Sequence, residues 1–385
     1  MSLNRELEDI LVVSIEQAVA APYCGLLLAD AGARVIKVER PGGDFARSYD
    51  AGLNGESAIF AWLNRGKESI CLNLKTNTDM QLILRLLSKA DVFVSNLAPG
   101  AVDRMGLDGE TLRRSNKGLI TCQITGYGKS GKAAKKKAYD FLVQAESGLC
   151  SVTGTHENPS RVGMSLADLS SGLTSFSAIL RALIQRGKTG TGSDIFVSMF
   201  DVMADWMNMS LLAQRYMGGA PRRSGLQHSF IAPYGAFTCK GGDQVLLSIQ
   251  SNREWSVFCQ QVLAQPELVD DARFENNPER YSNQRELDAL INTHFSNHTS
   301  TEIIAKLDEA KIANAALNSV AELSDHPFLK NSRAEYNGIE LEIARLPVSS
   351  ESTETSHVPS FDEHGQSIKS EFGKQHEKIS AIHKR

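Results

Sequence analysis

Apolar residues recur through the first two hundred positions in two alternating rhythms. Ile10–Ile15 is a short, continuous, β-branched run of the kind that forms a strand buried on both faces. Pro22 then stands near the first turn of a helical stretch reaching Asp30, and Gly32 stops it. Ala33–Glu39 returns to the strand pattern, so the first forty residues predict a β-α-β unit, the building block of a parallel sheet. The alternation continues with a strand in Glu68–Lys75 and a helix over Thr78–Lys89 that carries Leu82, Ile83, Leu86 and Leu87 at helical spacing. Asp91–Asn96 and Gly118–Thr125 predict further strands, and Tyr139–Gly148 a further helix. From Leu166 onward, Leu169, Leu173, Phe176, Leu180 and Leu183 form one apolar stripe on a long helix, with Asp168 beside the stripe rather than in it. Gly187–Gly192 breaks that helix, Ser193–Phe200 is strand-like, and the Met/Trp-rich run to Met217 predicts a buried helix.

The rhythm changes near Gly218. Residues 218–228 are rich in Gly, Arg and Pro and suit a linker, which leaves residues 1–217 as one α/β domain. Residues 229–324 mix a strand at Val245–Ile249 with helical patterns around Trp255, Leu287 and Ile303, the signature of a smaller α+β domain. A third character begins at 325: His326-Pro327 marks a break, Ile339–Ile343 suits a strand, and Ser349–Ser356 a polar loop.

Composition narrows the partners. A chain of 385 residues with 42% hydrophobic and 22% charged content can build two ordinary cores. The formal net charge of −4 offers no global attraction for nucleic acid or an acidic membrane, so a small-molecule partner is expected. Cys24, Cys71, Cys122, Cys150, Cys239 and Cys259 lie scattered without zinc-ligand spacing and read as reduced core cysteines, and no metal site is expected. No apolar run approaches a membrane span and the first residues resemble no signal peptide, so a cytoplasmic location is expected.

Candidate chemistry comes from five places. The turn after the first strand, Glu16–Ala21, lacks the glycines that let a dinucleotide pyrophosphate approach, which disfavours NAD. Arg40 sits just past the second strand, where nucleotide folds place an arginine for a ribose phosphate such as that of coenzyme A; a solvated arginine beside Gly42 and Gly43 is the alternative. Gly126–Ala133 matches most of a phosphate-binding P-loop, yet Ala133 replaces the Ser or Thr that holds magnesium, which disfavours an NTPase. Lys129, Lys132, Lys135, Lys136 and Lys137 then form either an anion funnel or a solvated loop. Ser165-x-x-Asp168 before an apolar run is a capping box in form, so Asp168 reads locally either as a cap or as a nucleophilic carboxylate.

Taken together, several segments resemble CoA-transferase family III over nearly the entire chain. They are Ala20–Tyr23 with Leu26–Arg40, Asn64–Lys67, Leu72–Lys75, Asn96–Gly106, Gly148 through the Asp168 segment, Gly187–Gly192 and Glu363–Gly365. The resemblance implies that Asp168 is the nucleophile. It assigns coenzyme A contacts to Val19, Ala20, Arg40, Leu72, Asn73, Leu74, Lys75, Asn96, Leu97, Ala98, Arg104, Lys137, Ala138, Tyr139 and Asp140. It further implies a Rossmann-like large domain with a parallel sheet, completed by the returning segment 325–385, a small domain between, and an interlocked, ring-shaped homodimer. Acyl-CoA and a small carboxylate would be the substrates, with no further cofactor.

Two rivals stay open at this point. The α-methylacyl-CoA racemases of the same superfamily carry a His-Asp pair where this chain has Tyr139-Asp140, and tyrosine, with an ordinary pKa near 10, is a poor base at neutral pH. A CoA-binding protein without turnover is the other. Within transferases, Ile231–Phe237 replaces the glycine run of formyl-CoA transferases. That departure argues against a formyl/oxalate pair and for succinyl-, mesaconyl- or citramalyl-type thioesters, with Arg161, Arg222 or Arg223 to pair with a distal carboxylate.

Overall fold

The architecture is taken from a computed structural model, which describes residues 5–348 and 355–373. The polar loop expected at 349–356 lies largely outside the described residues. Two compact units result. One comprises the described residues up to Leu149, Val162–Met207 and those from Lys330 onward; the other comprises Cys150–Arg161 and Asn208–Leu329.

The first unit is built on six parallel strands: β1 (Leu11–Ile15), β2 (Arg34–Glu39), β3 (Glu68–Cys71), β4 (Val92–Ser95), β5 (Ile120–Thr125) and β6 (Asp194–Ser198). Their order is β3-β2-β1-β4-β5-β6, the doubly wound order in which the chain reverses direction between β1 and β4. Continuous apolar runs suit strands covered on both faces. Val12, Val92, Val94, Ile120 and Cys122 point into one core cluster, while their neighbours Val13 and Phe93 point into the other. Each such fully buried Val, Ile or Phe contributes roughly 1.5–3 kcal/mol. The helices α1 (Ala20–Asp30), α2 (Ala58–Asn64) and α3 (Asn77–Lys89) follow β1, β2 and β3, and the long helix Leu166–Thr189 packs against α1. The residues from Lys330 onward add a small sheet, β10 (Asn331–Tyr336) antiparallel to β11 (Ile339–Ala344) and parallel to the short β12 (Ser356–His357). Tyr336 and Val358 share a buried cluster with Ala46 and Phe60.

The second unit carries an antiparallel sheet, β7 (Tyr234–Thr238), β8 (Gln244–Ser248) and β9 (Ala313–Ala316). Phe237, Val245, Leu247, Trp255, Phe258, Leu287, Phe295, Ile303 and Leu307 form its core.

One expectation needs correction. The run to Met217 is two helices, Met199–Trp206 and Asn208–Tyr216, and the second is not buried: only Ala213 is, while Met209, Leu212 and Tyr216 are exposed. Apolar composition pointed to burial, but among the described residues these side chains stay exposed. Cys24, Cys122, Cys239 and Cys259 are buried and Cys71 and Cys150 half-buried, all as free thiols. Among the described residues no helix is long and apolar enough to cross a membrane.

Candidate active site

The strand order places the crevice beside β1 and β4, outside the carboxyl ends of the strands. The two loops that leave those ends are tied together: the Gln17 N–H donates to Asn96 Oδ1 (3.0 Å), and Asn96 Nδ2 donates to the Gln17 carbonyl (2.8 Å). Between them Ala18 adopts a left-handed conformation, φ 64°, unusual for alanine. Buried charge secures this turn. The Ala18 N–H donates to Asp44 Oδ1 (3.2 Å), and Lys37 Nζ, fully buried, pairs with Asp44 Oδ2 at 2.8 Å. Lys67 Nζ, equally buried, pairs with Glu16 Oε1 at 2.5 Å and donates to the Pro22 carbonyl and to Asn64 Oδ1. Burial pushes the Lys67 ammonium down to about 8.

The helix Leu166–Thr189 meets α1 at Gly172. A Cβ there would lie 2.5 Å from the Ala20 carbonyl oxygen and 3.1 Å from the Tyr23 ring, so only glycine permits this approach. Asp168 stands one turn earlier, hence on nearly the same face of the helix. The capping box expected from Ser165-x-x-Asp168 does not form, because the Ser165 side chain makes no cap bond. Asp140, at the start of the helix Asp140–Glu146, caps the terminus instead. Its Oδ1 accepts from the backbone N–H groups of Ala167 (2.7 Å) and Asp168 (3.2 Å). The Asp168 carboxylate is thus left to other work.

A helix start favours negative charge, but burial first and the neighbouring Asp140 second push Asp168 up to about 7. Burial, then Asp44, Asp168 and Tyr139, raise the Tyr49 phenol to about 12, so these acids and phenols share one neighbourhood. Beside them is a cavity of about 260 Å³ lined by Val19, Tyr49, Ile59, Trp62, Gly163, Met164, Ser165 and Leu169, a largely apolar wall set.

The residues assigned to coenzyme A contacts all follow carboxyl ends of strands. Val19 and Ala20 lie after β1 and are buried; Arg40 lies after β2, exposed, with its Nε near the Gly43 carbonyl (3.3 Å). After β3 come Leu72, buried, then Asn73 and Leu74, half-buried, and Lys75, exposed. Asn96, Leu97 and Ala98 lie after β4, with the exposed Arg104 shortly beyond. Lys137, Ala138, Tyr139 and Asp140 follow β5; of these Lys137 and Tyr139 are exposed and Asp140 is buried. The lysine run is divided in its work. Lys136 pairs with Glu146 at 2.5 Å and Lys129 lies over the Phe196 ring, whereas Lys132, Lys135 and Lys137 are exposed. In the second unit Arg223 donates to the carbonyls of Ser151, Thr155 and His156, so it fastens backbone rather than standing free for a substrate; Arg222 is exposed and lines a cavity of about 250 Å³.

Sequence reasoning missed the cap role of Asp140 and the partner of its side chain, Gln144. A polar pair four residues apart within an otherwise apolar helix was the available signal. Tyr49 and Trp62 were also missed; Tyr49 follows the short 3-10 turn Phe45–Ser48, which has no periodicity to read.

Residues 7–364 match the family described as CoA-transferase family III. The chain belongs to this family. It is 34% identical over 372 residues to an acetyl-CoA:oxalate CoA-transferase of Acetobacter aceti, covering 95% of each chain. It is 32% identical over 344 residues to a succinyl-CoA:glutarate CoA-transferase of Mus musculus, covering 88% of this chain and 77% of that one. Among solved structures, a CAIB/BAIF family protein from Brucella suis superposes with a TM-score of 0.82 at 31% identity, over 96% of this chain and all of that one. The α/β fold and the CoA-transferase class of this enzyme rest on these likenesses together.

Proposed function

We propose that this CoA-transferase moves coenzyme A from an acyl-CoA thioester to a carboxylate through covalent intermediates on Asp168. An Asp168 oxygen attacks the thioester carbonyl, the C–S bond breaks, and a mixed aspartyl anhydride and the CoA thiolate result. The thiolate attacks the aspartyl carbonyl, releases the donor carboxylate and leaves an aspartyl-CoA thioester. The acceptor carboxylate attacks that thioester, and the thiolate returns to the new anhydride, giving the product thioester and free Asp168. One thioester is made as another is broken, so the sequence is near balance without an external energy source.

The observation that carries this reading is Asp168 itself: a half-buried carboxylate whose helix terminus is already capped by another residue, in the first turn beside an apolar cavity. Arg40, Lys75, Arg104 and Lys137, all exposed after strand ends, are the cations we assign to the phosphates of coenzyme A. Relatives that use oxalate and glutarate support a dicarboxylate acceptor and keep oxalate among the candidates despite Ile231–Phe237. We further assign a homodimer, supported by the exposed Met209, Leu212 and Tyr216, and a cytoplasmic location, supported by cysteines that form no disulfide among the described residues. The racemase alternative is disfavoured by Tyr139, which is exposed where a base would stand.

The test is transfer by wild type and Asp168→Ala from acetyl- and succinyl-CoA to a carboxylate panel, read by mass spectrometry, with coenzyme A affinity measured alongside. Wild type transfers to at least one dicarboxylate, while Asp168→Ala binds coenzyme A but transfers nothing. Transfer by Asp168→Ala, or α-deuterium exchange of a 2-methylacyl-CoA in heavy water without any acceptor, overturns the reading.

A further inference from the structure

The cap on the Asp168 helix comes from 28 residues away, and the cap residue is itself held. Asp140 Oδ2 accepts from Gln144 Nε2 at 2.8 Å, one turn further along the same helix. Gln144 is fully buried, and its two ends reach the strand of backbone that leads into the Asp168 helix: Nε2 donates to the Met164 carbonyl (3.2 Å), and Oε1 accepts from the Val162 N–H (3.0 Å). Two buried side chains therefore grip four successive points, Val162, Met164, Ala167 and Asp168.

We infer that Asp140 and Gln144 are a positioning pair for Asp168, fixing the backbone that carries the nucleophile and setting a negative charge beside it. The inference rests on Asp168 being the nucleophile. An acid capping its own helix is stabilised as an anion by the free N–H groups and the helix dipole, and is correspondingly less reactive. Here the N–H groups of Ala167 and Asp168 are taken, and the residue that takes them is negative. Asp140 thus opposes the Asp168 charge, which makes the carboxylate more basic and a stronger nucleophile toward a thioester carbon. The other titratable groups near Asp168 are the phenols of Tyr49 and Tyr139; Tyr23 of α1 faces the same helix one turn on, at Gly172. From the helix Met199–Trp206 the contacting group is the uncharged Met203, against Ser170. Asp44 also acts on Tyr49, and Asp140 is the acid that acts on Asp168.

Asparagine keeps an oxygen for the two N–H groups and removes the charge, at the cost of the Gln144 Nε2 bond, because its amide NH2 then faces that donor; alanine removes the charge and all three bonds. The acid limb of the kcat pH profile should move to lower pH in Asp140→Asn. Asp140→Ala and Gln144→Leu should lower kcat by about 10²-fold, as a displacement near 1 Å does, with a smaller change in KM. Circular dichroism and coenzyme A affinity show whether each variant is folded. An Asp140→Asn profile that overlays wild type, or a folded Asp140→Ala that loses coenzyme A affinity while keeping kcat, overturns the inference and makes Asp140 a ligand contact. Asp168→Ala, assayed in parallel, separates the two claims: activity in that variant defeats the nucleophile assignment and the inference with it, whereas its inactivity beside an unshifted Asp140→Asn defeats the positioning pair alone.

Discussion

Replacing Asp168 by Asn should make the protein more stable at pH 8 while abolishing transfer. The carboxyl has a value near 7 in the folded protein, raised by burial and then by Asp140, against about 3.9 in an unfolded chain. The folded state therefore holds the proton more tightly. Stabilisation from this group is complete below about pH 4 and is lost as pH rises, until above about pH 7 the full cost of the ionised, crowded carboxylate is present. At about 1.4 kcal/mol per pH unit the difference amounts to about 4 kcal/mol. Water reaching a half-buried side chain screens part of it, and about 2 kcal/mol is the expected gain for Asp168→Asn at pH 8, shrinking to nothing near pH 4. Urea unfolding of both proteins at matched concentration, from pH 4 to pH 8, reads this directly. A difference that stays flat with pH, or an Asn variant less stable at pH 8, would refute the electrostatic reading of the site.

Two other substitutions probe the frame around the nucleophile. Gly172→Ala puts a methyl 2.5 Å from the Ala20 carbonyl; the clash should outweigh the helix preference of alanine and destabilise by about 1–3 kcal/mol, with a loss in kcat larger than that in thermal stability predicts. A Gly172→Ala enzyme with unchanged melting temperature and kcat would show that the two helices have room to part. Lys67→Met leaves Glu16 buried without its 2.5 Å partner and should cost about 3 kcal/mol in urea unfolding; a loss below about 0.5 kcal/mol would mean that Lys37, 3.5 Å from Glu16, suffices alone.

The fold was the most legible part of the sequence. Runs such as Val12–Val13 and Val92–Val94 announce strands covered on both faces, and Leu82, Ile83, Leu86 and Leu87 announce a helix, because burial imposes a period that composition records. The site was legible only as residue types at strand ends. Ser165-x-x-Asp168 has the form of a local cap, yet the cap arrives from Asp140, and no local pattern encodes a hydrogen bond between residues 28 apart. The same holds for the pKa of Asp168, which depends on burial and on a neighbour brought in by tertiary packing. Met209, Leu212 and Tyr216 failed in the opposite sense: their apolar character was read as burial, and among the described residues they stay exposed.

The central claim is that Asp168 becomes covalently linked to coenzyme A. The enzyme should be incubated with an acyl-CoA donor without acceptor, acid-quenched, digested and examined by peptide mass spectrometry, with borohydride reduction as a parallel trap. We expect coenzyme A mass on the peptide containing Asp168, its loss on adding a dicarboxylate acceptor, and conversion of that aspartate to the alcohol after reduction. Full turnover with no adduct at Asp168, or an adduct on another residue, would contradict the account.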